Sequence, residues 1–444
     1  MQQPFATLAE AAAALRSGAV GSRELVAAAL ADADTLDPLL GVYVTRFPEQ
    51  ALAAARAADS RPAAERGPLH GLPLAVKDNL ATVEGPATAQ SPAHDPHWWC
   101  GRDAPAVARL RRAGAVVLGK TTMAEYAMGR PDPAHPFPVP RNPWDPERWT
   151  GGSSTGNGAG IASGLFLGAL GSDTSGSVRL PAALCGTTGL KTSFGLLPTD
   201  GCLPLSPSQD VLGPMAVSAG DCGLLLDALT GQPGRAPGPS DIQGLRVGVP
   251  YGLLAAAGGL IPAHLYLRAQ RTRERLTAAL LERLDGPAGA DVIATPTWPA
   301  PARPYARETA PGDELNLTAV WNPTGFPALA LPMGADPAGL PLSLQLAGRP
   351  RGEHTLLRAG EAFQSVTTWH LRRAAPDPRH RPAPLRDPDR EEPAPAPSLP
   401  GPGHAPAGVE EALAAVGIKP GPADLAVVGA VARGILAAPR RPAA

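Results

Sequence analysis

Apolar residues recur at helical spacing through the first part of the chain. Between residues 6 and 31 they stand three or four positions apart, with a break at Ser17-Gly18 and a restart after Ser22. This spacing predicts two amphipathic helices, with Ser22 as the N-cap of the second. An alanine-rich pattern predicts a third helix from Pro48 to Ala58.

Short apolar runs then alternate with helical patterns. Residues 71–77 predict a buried strand with Lys77 at its end, directed into the cleft beside the strand. Residues 104–113 predict a helix and residues 115–118 a short buried strand, which together form one αβ unit of a parallel sheet. The expected fold class is therefore α/β, with a mixed, mostly parallel twisted sheet covered by helices on both faces.

The second half of the chain continues the alternation of helices and strands. The predicted elements are a helix at 221–229, a strand at 244–250, a strand at 290–296, a short helix at 315–321, strands at 328–331 and 343–346, and a closing helix at 353–364.

The stretch from Trp149 to Leu190 consists almost wholly of glycine, serine, threonine and small apolar residues. Two clusters, residues 151–154 and 173–177, flank a segment that predicts a helix followed by a strand. Glycine permits positive φ and close approach of the backbone to a ligand, so such turns can direct several N–H groups at one point. That geometry suits an anion or an oxyanion.

Three other interpretations of glycine-rich segments are weaker. A flexible linker would not be interrupted by the apolar residues 165–167. Residues 152–156 fit G-x-S-x-G, but a proline-broken loop precedes them where a nucleophile elbow needs a buried strand. Residues 114–121 fit the Walker A pattern of P-loop NTPases, but their AVVL run is strand-forming, so its N–H groups would be committed to a sheet.

Two motifs, GGSS at 151–154 and DTSGSVRLPA at 173–182, strongly resemble the amidase signature family of Ser-Ser-Lys hydrolases. The resemblance covers residues from about Ala6 to about Phe363 and includes GLPLAVKDNL at 71–80, residues 103–127, PLSPSQDVLGPMA at 204–216 and NPTGFPALALPMG at 322–334. It implies the amidase-signature fold in one large domain. It also implies a triad of a lysine, a serine held by a cis peptide and a nucleophilic serine, at Lys77, Ser153 and Ser177.

The resemblance assigns a role to each member of the triad. Ser177 would attack the amide carbonyl, and Ser153 would relay its proton to Lys77 and then protonate the departing nitrogen. Because a lysine at its reference pKa of about 10.4 is charged, the site must desolvate Lys77 toward neutrality. Asp173 and Arg179 would support the loop. The oxyanion hole would consist of the backbone N–H groups of Thr174, Ser175, Gly176 and Ser177, where most relatives are expected to have glycine at 175.

One segment departs from the family pattern. Family members usually have several dozen more residues between the strand GLRVGVP (244–250) and the helix beginning near Tyr266. We therefore expect an amidase domain at 1–371, shortened between about 250 and 266, with one side of the substrate cleft open. Residues 372–406 are rich in proline and charge and predict a disordered linker. Residues 407–444 predict a small helical segment that docks on the amidase domain or on a partner.

Composition limits the cellular compartments and the classes of binding partner that are expected for this chain. A net charge of −1 and a pI near 6.8 provide no footprint for nucleic acid or an anionic membrane. No apolar run reaches membrane-spanning length, and the first residues lack the apolar core of a signal peptide. The cysteines are widely spaced, at positions 100, 185, 202 and 222, which indicates free thiols in a reducing compartment. A cytoplasmic protein without metal or cofactor is expected.

The expected function is hydrolysis of the C–N bond of a small-molecule amide by a free-standing enzyme, which is compatible with a homodimer. Two alternatives stay open: the A subunit of a tRNA-dependent amidotransferase, and a truncated, non-catalytic scaffold. Neutral charge and the absence of a tRNA-binding appendage favour the free-standing enzyme. The acyl pocket is expected to be lined by Met123, the loop 129–149 and segments near Trp298 and Trp321.

Overall fold

Helices and strands alternate along the chain of the computed structural model, which describes residues 4–232, 244–248, 263–285, 289–305 and 316–382. The helices are α1 (Leu8–Ser17), α2 (Ser22–Leu40), α3 (Pro48–Asp59), α4 (Pro105–Arg112), α5 (Thr155–Ala162), α6 (Arg179–Cys185), α7 (Ala219–Thr230), α8 (Ala263–Asp285) and α9 (Glu353–Ser365). The strands are β1 (Tyr43–Arg46), β2 (Pro73–Lys77), β3 (Val116–Thr121), β4 (Gly168–Asp173), β5 (Thr188–Lys191), β6 (Val211–Ala216), β7 (Val247–Gly248), β8 (Val292–Pro296), β9 (Ala328–Ala335) and β10 (Pro341–Gly348).

The predicted helices at the start of the chain are confirmed, but the cap of α2 is different. Gly21 is the N-cap, and Ser22 is already the first helical residue. The free N–H groups of Ser22 and Arg23 donate to the carboxylate of Asp59, at 2.6 and 3.0 Å. A side chain from α3 therefore satisfies the first turn of α2, as a local capping residue would otherwise do.

The strands form one mixed sheet in the order β1-β3-β2-β4-β6-β5-β9-β10-β8-β7. The α/β class is confirmed, whereas the expectation of mostly parallel pairing is wrong. Within the described chain, only β2–β3, β2–β4 and β7–β8 are parallel, and the other six neighbouring pairs are antiparallel. One reason is the short link between β9 and β10, which can close a hairpin but cannot make the crossover that parallel strands need.

Helices cover both faces of the sheet, as two glycines of β4 show. A Cβ at Gly168 would point at Leu225 of α7 and Leu8 of α1. A Cβ at Gly171 would point at Ser154 and Asn157, which lie at the start of α5. Since side chains three positions apart on a strand lie on opposite faces, α1 and α7 are on one face and α5 is on the other.

The small residues of α5 allow this helix to lie unusually close to its neighbours. A Cβ at Gly156 would be 2.3 Å from the carbonyl oxygen of Val42, and one at Gly160 would be 2.1 Å from the ring of Phe166. Both distances are far below van der Waals contact, so glycine is required there. The close packing fixes the residues just before α5, which include Ser153.

The chain beyond α9 stays packed against the domain further than the sequence indicates. Ala374 is buried, its N–H donates to the carbonyl of Ala162 at 3.1 Å, and the Arg373 guanidinium donates to the carbonyls of Phe5 and Ala6. A disordered linker was predicted to begin at residue 372, whereas residues 372–374 pack against the domain. The rest of the predicted linker, the terminal segment 407–444 and most of the shortened region lie outside the described residues. Among the helices that the structure describes, none is both long and apolar enough to cross a membrane.

Candidate active site

The candidate site lies where two neighbouring parallel strands end. Lys77 is the last residue of β2, and Ser172 is next to last in β4. The register pairs Ala75 with Ala169, so the carboxyl ends of both strands meet at the same edge. The Lys77 Nζ donates to the Ser172 Oγ at 3.0 Å, and the sheet thus delivers a lysine to the end of the signature stretch.

Ser153 completes the surroundings of the lysine. The peptide bond between Gly152 and Ser153 is cis. The Lys77 Nζ donates to the Ser153 Oγ at 2.7 Å, and both residues are almost fully buried. The structure therefore brings together the lysine and the cis serine that the sequence resemblance implied.

Within the described part of the chain, no carboxylate is a hydrogen-bond partner of Lys77. The carboxylate of its neighbour Asp78 instead lies 3.2 Å from the Nζ of Lys120, a residue of β3 that is equally buried. Burial lowers the pKa of Lys77 to about 8, and the more distant carboxylates of Asp173 and Asp210 oppose that change. A lysine with this pKa is partly neutral near physiological pH and can accept a proton.

The loop between β4 and α6 carries Ser177. The N–H of Ser154 donates to the carbonyl of Ser177 at 3.0 Å, which ties this loop to the GGSS turn. Ser177 is 8% exposed, whereas Ser154 has no exposed surface and its hydroxyl lies 3.4 Å from the carbonyl oxygen of Ser172. Of these two serines, Ser177 is the more accessible to a substrate.

Three of the four backbone donors named from the sequence are available. In the described part of the chain, the N–H groups of Thr174, Ser175 and Ser177 have no acceptor. The N–H of Gly176 is different, because it donates to the Asp173 carboxylate at 2.8 Å. Gly176 has φ of 133°, which glycine adopts readily, while Ser175 is not among the residues with positive φ. Gly176 thus supplies the bend of the loop and the other three residues supply its free donors.

A buried ion pair holds this loop. The side chains of Asp173 and Arg179 have no exposed surface, and the Arg179 Nη2 lies 3.0 Å from the Asp173 Oδ1. Burial alone would raise the pKa of Asp173, but the Arg179 guanidinium, with Lys191 and the N–H of Val178, lowers the pKa below its usual range. Asp173 is therefore an anion whose oxygens are fully used within the loop, and the pair supports the backbone instead of meeting a substrate.

Several supporting residues were missed by the sequence analysis. The Asn79 Nδ2 donates to the Ser172 Oγ at 2.9 Å and to the Cys202 Sγ at 3.3 Å, so Asn79 fixes a partner of Lys77. The Thr318 hydroxyl donates to the carbonyl of Ser175 at 2.6 Å. No local pattern marks these residues, although Asn79 stands two positions after Lys77 in a quoted motif.

Arg179 also links the loop to distant segments of the chain. It donates to the carbonyl of Thr318 and to the side chains of Gln345 and Asn322, at 2.7–2.9 Å. Asn322 in turn donates to the carbonyl of Asp173 at 2.8 Å. The loop is therefore held from the β10 strand and from the segment 316–322.

The residues expected to line an acyl pocket separate into different places. Met123 has no exposed surface. Trp149 and Trp298 share one apolar cluster with Leu180 of α6, and Trp149 is also adjacent to Gly152. Trp321 lies in another cluster and stacks on Phe326. Trp149 thus lies close to the cis peptide, whereas Trp321 belongs to a separate buried cluster with Phe326 and Ala328.

Comparison with known proteins gives consistent matches along the chain. A family model described as Amidase matches residues 24–251 and 255–357. The A subunit of the glutamyl-tRNA(Gln) amidotransferase of Geobacter metallireducens is 30% identical over 474 aligned positions, covering 81% of this chain and 97% of that protein. A Mycobacterium bovis protein named as the amidase AmiD is 33% identical, over 82% of this chain and 95% of its own.

A solved structure extends the match to the fold. The peptide amidase of Stenotrophomonas maltophilia aligns with a TM-score of 0.70 and 26% identity, covering 83% of this chain and 98% of that one. The alignment with the Geobacter protein has more positions than the 444 residues of this chain. That relative therefore contains segments that this chain lacks.

Proposed function

The chain belongs to the amidase family, and we propose that it hydrolyses a small-molecule amide through a serine acyl-enzyme with Ser177, Ser153 and Lys77 as its triad. The observation that carries this proposal is the buried 2.7 Å hydrogen bond between the Lys77 Nζ and the Ser153 Oγ. A lysine placed there without a carboxylate partner is costly to keep charged, and the Ser153 hydroxyl at its Nζ offers the neutral amine a group from which it can accept a proton.

Acylation follows from these positions. Neutral Lys77 accepts the proton of Ser153, which takes the proton of Ser177 as the Ser177 oxygen bonds to the carbonyl carbon. The carbonyl oxygen becomes an oxyanion that accepts hydrogen bonds from the free N–H groups of Thr174, Ser175 and Ser177. When the C–N bond breaks, Ser153 gives its proton to the departing amine and regains one from Lys77.

Deacylation repeats the same proton path with water. Water loses a proton through Ser153 to Lys77 as its oxygen attacks the ester carbonyl of the acyl-enzyme. The Ser177 oxygen leaves and takes the proton back, so the carboxylic acid is released and the free enzyme is restored. No charged group other than Lys77 has to change its protonation state.

Labelling with a fluorophosphonate, followed by peptide mapping, tests the assignment of the nucleophile. We expect the adduct on Ser177, because Ser177 is accessible and Ser154 is not. Ser177→Ala should abolish labelling and hydrolysis, and the matched variant Ser154→Ala should retain most labelling. An adduct on Ser154 would contradict the proposed triad. A folded wild-type protein that neither reacts nor turns over amides would support the non-catalytic alternative.

The names of the relatives favour a second candidate. The Geobacter protein is named as one component of an amidotransferase, so this chain is a candidate component of a larger enzyme that passes ammonia to an acceptor. Amide hydrolysis by the purified chain alone would support the free-standing enzyme, whether it is a monomer or a homodimer. Release of ammonia from glutamine only when a partner protein is added would support the amidotransferase.

A further inference from the structure

Two loops border the cis serine and are tied to it and to each other. The N–H of Ala124 donates to the carbonyl of Ser153 at 3.2 Å, and the N–H of Tyr126 donates to the carbonyl of Ala89 at 3.0 Å. The side-chain oxygen of Gln90 accepts the N–H of Met123. Residues 87–103 and 124–129 thus form one connected border at the Ser153 side of the site.

This border holds most of the strained backbone of the described chain. Six non-glycine residues of the described chain have positive φ. Five of them lie in these two loops, with φ between 45° and 64°: Ala89, Gln90, Trp99, Tyr126 and Ala127. A residue with a Cβ pays free energy for this conformation, and such residues cluster at functional sites. Glycine would adopt it without that cost, so the presence of Tyr126 and Trp99 indicates that their side chains are needed.

Two of the strained residues, Trp99 and Tyr126, belong to a group of neighbouring rings that we call the aromatic lip: His94, Trp98, Trp99 and Tyr126. His94 meets Trp98 and Tyr126 edge to face, with ring centroids 6.0 and 5.9 Å apart, and Trp98 lies 5.8 Å from Trp99. The Arg102 guanidinium covers Trp99 at 4.6 Å. Tyr126 is 37% exposed, and nearby Met128 is 61% exposed. The lip therefore presents an accessible apolar surface.

We propose that the aromatic lip binds an aromatic ring of the substrate, which makes this chain an amidase of arylalkyl amides. The proposal rests on the proposed function, because it places the ring beside the amide that Ser177 attacks. Ring edges and faces on the lip offer edge-to-face contacts that an aliphatic chain does not gain. A ring on the acyl side and a ring on the amine side present the same chemistry, so both are tested.

Steady-state kinetics with three amides provides the first test. Phenylacetamide has its ring on the acyl side, N-benzylacetamide has its ring on the amine side, and butyramide has no ring. The wild-type enzyme should prefer at least one aromatic amide over butyramide in kcat/KM. Trp98→Ala should reduce that preference roughly tenfold, the range typical of one apolar pocket contact. The matched control Trp369→Ala removes another partly exposed tryptophan, in the turn after α9, and should leave the preference unchanged.

A binding measurement separates the lip from the chemistry. Phenylacetamide is titrated into Ser177→Ala by calorimetry, with and without Trp98→Ala, and the second substitution should weaken binding roughly tenfold. If wild-type protein hydrolyses no amide but ring binding still depends on Trp98, the proposed function is wrong and the lip is upheld. If the three amides are hydrolysed with equal kcat/KM and Trp98→Ala does not weaken the binding of phenylacetamide, the proposal that the aromatic lip binds the substrate ring is wrong. If Trp98→Ala does not fold, Tyr126→Leu is measured in the same way.

Discussion

Three lysine side chains in the described chain are buried, and their Nζ atoms contact different groups. Lys120 lies 3.2 Å from the carboxylate of Asp78. Lys191 donates to the carbonyls of Thr192 and Phe326, at 2.9 and 2.8 Å. Burial, aided by repulsion from Arg179, lowers the pKa of Lys191 to about 7, but no hydroxyl stands at its Nζ to relay a proton. Among these three lysines, Lys77 alone has a serine hydroxyl at its Nζ, and the combination of a lowered pKa and a relay group distinguishes the proposed base from a lysine with a structural role.

The pH dependence of the reaction should depend on Asn79. In the wild type, kcat/KM should rise with pH through about 8, because Lys77 accepts a proton only when neutral and its pKa is lowered to that value. Asn79→Asp places a negative charge next to Ser172 and Lys77. An adjacent carboxylate favours the charged lysine, so the pKa of Lys77 rises. The rising limb of the plot of kcat/KM against pH therefore moves upward by about one pH unit. A pH series of kcat/KM for both proteins measures this shift.

Lys77→Ala provides the control for the same experiment. It should lower kcat/KM by about 10²- to 10⁴-fold and remove the pH limb, while circular dichroism shows an intact fold. An Asn79→Asp enzyme that is slower at every pH, with its limb unmoved, would show that Asn79 only supports the fold. Wild-type rates in Lys77→Ala would remove the lysine from the mechanism.

The sequence predicted Lys77, Ser153 and Ser177 but not the residues that orient them. The residues of the proposed triad stand in motifs with recognisable spacing, whereas Asn79 and Ser172 meet only because β2 and β4 pair in one register. Register is a tertiary property that no local pattern determines. The commitment of the Gly176 N–H to Asp173 was missed for a similar reason, since it depends on the conformation of the loop.

The segment 316–322 supports the loop of Ser177, the proposed oxyanion loop, from more than a hundred residues away in the sequence. The Thr318 hydroxyl donates to the carbonyl of Ser175, and a Cβ at Gly176 would lie 2.2 Å from that hydroxyl oxygen. The Asn322 side chain donates to the carbonyl of Asp173. These contacts hold the backbone whose N–H groups are the oxyanion donors of the proposed mechanism.

Thr318→Val should therefore lower kcat more than it changes KM. The substitution keeps the volume and removes the hydrogen bond to Ser175, so the free N–H groups lose their fixed orientation, and a fall of roughly tenfold or more in kcat is expected. Thr318→Ser keeps the hydroxyl and should restore most of the rate. Steady-state kinetics on one small amide measures both parameters.

A matched control lies two residues beyond this segment. The Thr324 hydroxyl donates to the carbonyl of Val320 and does not reach the loop, so Thr324→Val should leave kcat almost unchanged. Equal losses in both variants would mean that the segment matters for folding and not for positioning the loop.

Most helices were predictable from the sequence, but the direction of strand pairing was not. Helical periodicity is local, and α1 to α4, α7 and α9 follow it closely. The four-residue strand β5 had no alternating pattern and was missed, yet it joins β6 and β9 antiparallel through the middle of the sheet. The one αβ unit recognised in the sequence suggested parallel pairing for the whole sheet, although it describes only the part around β2 and β3.

At the scale of the whole molecule, residues 372–374 connect the first described residues to α5, the helix that follows Ser153. Ala374 binds the carbonyl of Ala162, the last residue of α5, and Arg373 binds the carbonyls of Phe5 and Ala6. Arg372 lies over the ring of Trp144 at 4.9 Å. Since α5 begins directly after Ser154, residues 372–374 support the element that fixes the cis serine.

A chain that ends at residue 382 and one that ends at residue 371 should therefore behave differently. The longer chain retains the contacts of Arg373 and Ala374 and should keep amide hydrolysis and the wild-type melting temperature. The shorter chain leaves α5 and the first residues without these partners and should melt several degrees lower.

Arg373→Ala in the full chain should reproduce part of the loss. Arg379→Ala should not, because Arg379 is 90% exposed and pairs only with nearby Asp377. Differential scanning calorimetry measures all four proteins, and limited proteolysis should cut beyond residue 382 and not within 372–382. Equal melting temperatures for the two shortened chains would show that the segment contributes nothing to stability, and loss of hydrolysis in the chain ending at 382 would show that residues 383–444 complete the site.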